Sequence, residues 1–165
     1  MTSADTASVS TMGTTIVGVG NILFKDEGIG CHVARALKQI ALPDTEVIDG
    51  GTSPGVLLPE NTDKLIVVDA ARAGGTPGEV YRFELDDIAL GQQPILSLHQ
   101  MTLVANLLLT RARRDIPKTV IIGVEPKEIG WGLELSPELR ERTPHIVKMI
   151  LVELNKVGRE GEARC

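Results

Sequence analysis

Three runs of β-branched and aliphatic residues constrain the fold more than any other feature of this chain: TTIVGVG (14–20), KLIVVDA (64–70) and KTVIIGVE (118–125). A strand with one wet face alternates polar and apolar residues. An almost unbroken apolar run is the pattern of a strand covered on both faces, as in a parallel sheet lined by helices. A fourth run, TEVIDGG (45–51), is shorter and similar. Between the runs the period changes to that of helices. Cys31, Ala34 and Leu37 share a stripe within 28–40, and Met101, Val104, Ala105, Leu108 and Ala112 recur at spacings of three and four after His99. A last helix starts from Ser136 as N-cap with Pro137 in its first position. It buries Leu139, Ile146, Ile150, Leu151 and Leu154, and Pro144 is expected to kink or split it.

One segment departs from the alternation of strand and helix. GEVYRFEL (78–85) reads as extended, yet only ARAGGTP (71–77) separates it from the strand before. A parallel crossover needs a dozen or more residues, so this strand is expected to run antiparallel at a sheet edge. The expected fold is α/β: a three-layer α/β/α sandwich on an about five-stranded, mostly parallel sheet with one antiparallel edge strand. A single domain over 14–157 is expected, between a flexible N-terminal tail (1–13) and a flexible C-terminal tail (158–165).

Composition narrows the function classes. The net charge is −5, with one Trp, one Tyr and two Phe. That balance offers neither the basic footprint nor the stacking rings of a nucleic-acid binder. The basic cluster Arg111, Arg113 and Arg114 falls near a helix end, where it complements the dipole. Cys31 and Cys165 make no disulfide framework, and no secretory signal or membrane-length apolar run is present. A cytoplasmic, monomeric protein working away from membranes is the expectation.

The first strand leads into TTIVGVGNILFKDEGIG (14–30). Gly18 and Gly20 imitate a dinucleotide fingerprint, but Leu23 occupies the third glycine position and the helix starts only after Gly28. Asp26 and Glu27 would then repel a pyrophosphate at the helix N-terminus. Asp49, closing the second strand, keeps a weak ribose-binding reading open. Capping accounts for Asp26. Glu27 is the residue to follow, because other polar groups converge on the same rim. Ligands of open parallel sheets collect beyond the carboxyl ends of the strands. Asp69 ends LIVVDA there, and His99 opens the helix after ILSL. A carboxylate, a second carboxylate and an imidazole from three loops suit a borderline divalent metal with open coordination positions.

Rival constellations are poorer. There is no G-x-S-x-G elbow. Cys31 among Val33, Ala34 and Leu37 reads as a small core hydrophobe. His32 is expected to face solvent, and His145, beside Pro144, carries no functional argument.

With those residues placed, the chain resembles the hydrogenase maturation endopeptidases, which trim the C-terminal tail of nickel-iron hydrogenase large-subunit precursors. The resemblance spans roughly 14–157 and rests on an ordered series: GVGNILFKDEGIG, VIDGGTSP, LIVVDAARAGGTPGEV, LHQMTL and VIIGVEPKEIGWG. It implies a cytoplasmic α/β/α protein whose metal-contacting positions match Glu27, Asp69 and His99. The nickel is carried by the precursor, and cadmium or another divalent ion can take the same place in vitro. It also implies an aspartic-type endopeptidase. Two mechanisms stay open: nickel polarises the carbonyl or activates water, or nickel only registers the substrate while Asp49 or Asp26 assists water. Gly50, Gly51 and Thr52 would shape the cleavage loop, and Pro54 and Pro59 would deform a short helix expected after it. A non-catalytic nickel- or precursor-binding chaperone, a nucleotide-binding domain and a peptidyl-tRNA hydrolase-like enzyme are the alternatives.

Overall fold

A computed structural model describes residues 13–52, 61–89, 95–96, 105–107, 109 and 116–162. Four strands run parallel in the order β2 (Thr45–Gly51), β1 (Gly13–Val19), β3 (Thr62–Arg72) and β6 (Lys118–Val124). These are the four apolar runs of the sequence. β1, β3 and β6 are buried almost throughout, as strands covered on both faces must be. β4 (Val80–Glu84) pairs antiparallel with β6 at the edge, which bears out the short-loop argument. β5 (Ile95–Leu96) adds a two-residue antiparallel pairing at the end of β3.

Side chains alternate between two cores. Ile16, Ile66, Val68 and Val120 face one side, where α1 (Ile29–Leu37) and α3 (Pro137–Glu162) pack Ile29, Val33, Leu37, Leu139, Ile146 and Ile150 against them. Val17, Leu65, Val67 and Ile121 face the other side, with Leu85 from α2 (Leu85–Ala89) and Leu107 from a helical segment. The result is the expected three-layer sandwich.

Helix α1 approaches the sheet closely because its contact positions carry no side chain. A Cβ on Gly30 would lie 2.2 Å from the Val68 carbonyl oxygen and 2.3 Å from that of Val19. One on Gly18 would lie 2.0 Å from the Gly30 oxygen.

Two expectations need correction. Of the kink or split expected at Pro144, the split does not occur, and α3 runs unbroken from Pro137 to Glu162. Leu139 on one side of the proline and Ile146, Val147 and Ile150 on the other are buried against one core, and that packing outweighs the lost backbone bond. Ala105 is exposed, and Leu107 takes the core contact instead. Met101, Val104, Leu108, Ala112, the arginine cluster, Pro54 and Pro59 lie outside the described residues.

Candidate functional site

The loops leaving the carboxyl ends of β1, β2, β3 and β6 form one rim. After β1 the backbone turns at Gly20 (φ 142°), where a Cβ would lie 2.0 Å from the Glu27 carbonyl oxygen. The same turn is tied to β2 by the Gly20 amide, which donates to the Gly51 oxygen at 2.9 Å. Gly51 itself has φ 55°, a left-handed conformation that suits glycine in the loop closing β2. Thr52 beside it is exposed.

A 3-10 turn, Lys25–Gly28, follows and packs against β3. It carries Asp26 and Glu27. Neither caps the helix that begins after it, because α1 has Gly28 as N-cap with no side-chain hydrogen bond. Asp26 instead turns inward and is fully buried. Its Oδ2 accepts from the Lys127 amide (3.0 Å), the Glu128 amide (2.8 Å) and the Ser136 hydroxyl (2.8 Å), and its Oδ1 accepts from the Ser136 amide (2.7 Å). The Ser136 hydroxyl in turn accepts from the Leu139 amide at 3.5 Å, the N-cap bond of α3. Asp26 therefore fastens the glycine loop to the loop after β6 and to the start of α3.

Glu27, partly exposed, is left at the rim. Asp69 lies in the carboxyl-terminal half of β3, three residues before Arg72 ends it, and β3 is the strand against which the 3-10 turn packs. It is 1% exposed, and its Oδ1 accepts from the Ala70 amide at 2.7 Å. His99, the third expected donor, lies outside the described residues. Among the described residues no group of three His, Cys, Asp or Glu side chains is placed to hold a metal ion.

Asp49 stands elsewhere. Register pairs it with Gly18, and Gly18 with Val68, so β1 separates it from the strand of Asp69. Two strand spacings put the backbones about 10 Å apart. The pleat also sends them to opposite faces, since Asp49 alternates with Val47 of the α1 side and Asp69 with Val67 of the other. The two carboxylates do not form a proton-sharing dyad. Asp49 accepts from Arg35 Nε at 2.8 Å. Burial opposes its ionisation, but bonds from Cys31 and Arg35 and the guanidinium charge hold its carboxyl below the ordinary value. Cys31 is the core residue expected: burial, then the Asp49 carboxylate, push its thiol up to about 12.

Two features escaped the sequence reading. His32 does not face solvent: its Nε2 is buried with no hydrogen-bond partner among the described residues. Burial first, then the Arg35 charge, lowers its pKa. Glu125, at the end of β6, is buried and gathers the loop after β3. Its Oε2 accepts from the Ala73 amide (2.7 Å), the Tyr81 hydroxyl (2.8 Å) and the Gly75 amide (3.3 Å). Burial opposes its charge, yet these donors hold its carboxyl below the usual range. Only the GVEP run pointed to it, and a glutamate ending an apolar strand does not announce partners on another loop.

Comparison with known proteins extends these observations. A family model described as hydrogenase maturation protease matches residues 31–153, a span that includes Asp49, Asp69 and His99 and starts after Glu27. The Hydrogenase 2 maturation protease of Escherichia coli is 32% identical over 155 residues, covering 90% of this chain and 94% of that one. The hydrogenase expression/formation protein HupD of Thiocapsa roseopersicina is 34% identical over 152 residues, 87% of this chain and 68% of its own. The hydrogenase maturating endopeptidase HybD of E. coli superimposes with a TM-score of 0.77 at 29% identity, over 89% of this chain and 94% of that one. A fold shared over most of both chains, a relative 32% identical along nearly its whole length and a family match over residues 31–153 lead to one conclusion: the chain belongs to the hydrogenase maturation protease family.

Proposed function

We propose that this protein is the endopeptidase that removes the C-terminal extension of a nickel-iron hydrogenase large-subunit precursor once nickel has been inserted. The observation that carries the reading is the placement of Glu27 on a turn packed against the very strand that carries the buried Asp69. Glu27, Asp69 and His99 are the donors assigned to the nickel, which arrives as part of the substrate. Carboxylate and imidazole donors fit a borderline divalent ion and leave positions for the ligands the precursor already supplies. Cadmium or another divalent ion would compete for the same donors.

Bound there, nickel would supply a positive charge that polarises the scissile carbonyl or a water. In the rival version Asp49 or Asp26 acts on water, as an aspartic-type label would suggest. Asp26 is a weak candidate, because four donors already occupy its oxygens. Asp49 is turned to Arg35 on the opposite face from Asp69. We therefore assign both to the scaffold and hydrolysis to the Glu27 rim. Gly50, Gly51 and Thr52 border that rim as the loop nearest the scissile segment.

Intact-mass analysis of a large-subunit precursor, with and without nickel, tests this. The protein should release a C-terminal peptide from the loaded precursor alone, and Glu27→Ala and His99→Ala should abolish release while melting normally. Retained cleavage in His99→Ala would sink the assignment. Binding of the loaded precursor with no change of mass would favour the chaperone reading.

A further inference from the structure

The loop after β1 and the loop after β6 expose an apolar patch that the proposed chemistry does not use. Trp131 is 77% exposed, Leu133 62%, Leu23 46% and Ile129 39%. These are four of the eight large hydrophobics exposed among the described residues, drawn from two short segments. The Phe24 ring supports Trp131, with centroids 4.7 Å apart and planes 33° apart. Clustered apolar exposure of this kind marks a docking surface, and tryptophan is enriched among the anchors of such surfaces.

The patch is held in shape before anything binds. The Lys25 amide donates to the Gly132 oxygen (2.8 Å) and the Gly132 amide to the Leu23 oxygen (2.9 Å), while Phe24 and Gly132 form a parallel bridge. Asp26 clamps the same two loops from below. Such preorganisation lowers the ordering cost of association.

The surroundings select the occupant. Charges at the border are already paired within the chain: Lys25 with Glu128, Arg140 with Glu134 (3.1 Å) and Lys127 with Glu138 (3.8 Å). An apolar centre inside an internally neutralised rim is the anatomy of a protein–protein contact, and it offers nothing to a polyanion or a charged peptide. The patch is also continuous with the candidate site, since Leu23 and Glu27 belong to one five-residue segment.

We infer that Leu23, Phe24, Ile129, Trp131 and Leu133 form an exosite that grips an apolar surface of the folded precursor body, away from the peptide being cut. This rests on the proposed cleavage reaction for its occupant, and it assigns affinity to the patch and chemistry to the Glu27 rim. Because Trp131 is the only tryptophan in the chain, protease labelled with 5-fluorotryptophan gives a single fluorine resonance. Addition of nickel-loaded precursor should shift or broaden it. Trp131→Ala and Leu133→Asp should raise KM about tenfold or more, leave kcat within about twofold, and melt like the unaltered protein. Glu27→Ala should keep the fluorine shift and lose cleavage. An unmoved resonance, or variants with unchanged KM, would overturn the exosite. A shift that follows protease concentration alone, with a doubled mass in solution, would overturn it in favour of a second copy of the chain. A shift without cleavage by the unaltered protein would remove the protease reading and leave the docking surface standing.

Discussion

At the scale of single residues, Asp26 shows how one buried carboxyl ties together loops far apart in the chain. Its carboxyl is tolerated in the interior because amides and a hydroxyl replace the lost water. Replacement by Ala would orphan those donors, so Asp26→Ala is expected to cost about 3 kcal/mol or more. For a domain of this size that lowers Tm by roughly 10 °C, readable by calorimetry. A melt unchanged within a degree would show that the loops are held by something else. The sequence marked Asp26 as a helix cap, and it does serve a helix N-terminus, but that of α3, through a residue 110 positions away. No local pattern contains that information. Glu125, Asp49 and His32 share the difficulty, since their surroundings are assembled from other loops.

At the scale of elements, packing decides what propensity leaves open. α3 carries a proline in its interior, yet it is continuous because its apolar face is buried on both sides of Pro144. Its far end is anchored by Glu153, which accepts from Lys64 Nζ (3.1 Å) and from Arg82 Nε (3.0 Å), while Lys64 Nζ also donates to the Glu153 carbonyl (3.0 Å). Burial opposes the charge of Glu153, but Arg82 and Lys64 hold its carboxyl down to about 2. A carboxyl lowered by folding stabilises fully above its unfolded value and loses that contribution as pH falls through the folded one. The stability gap between the parent and Glu153→Gln should therefore be widest near neutrality and close as the solution is acidified from about pH 5 towards 2. Urea titrations at several pH values check this, and parallel curves would refute it. α1 makes the opposite kind of demand on space. Gly30→Ala should abolish or severely weaken folding, because its methyl would meet two backbone oxygens. Gly130→Ala, whose Cβ meets nothing within 4 Å, is the control and should melt within about 2 °C of the parent.

At the scale of the whole molecule, the carboxyl edge of the sheet is where strand order becomes function. The order β2-β1-β3-β6-β4 places β1 and β3 side by side, and the 3-10 turn that carries Glu27 packs against the strand that carries Asp69. It also parts Asp49 from Asp69 and spans β3 with two loops that present the Trp131 patch. No helix among the described residues is long and apolar enough to cross a membrane. The amino-acid sequence alone determined the elements: runs of Val and Ile can be covered only as buried parallel strands, and a seven-residue link can only turn a strand back. It also determined which residue types stand at strand ends, and with them the series of motifs by which the family is recognised. Tertiary structure decided which of those ends meet. Whether a carboxylate touches an amide, an arginine or open solvent depends on register, strand order and loop contacts across a hundred residues. Those are set by the cooperative burial of two cores rather than by any local stretch of chain.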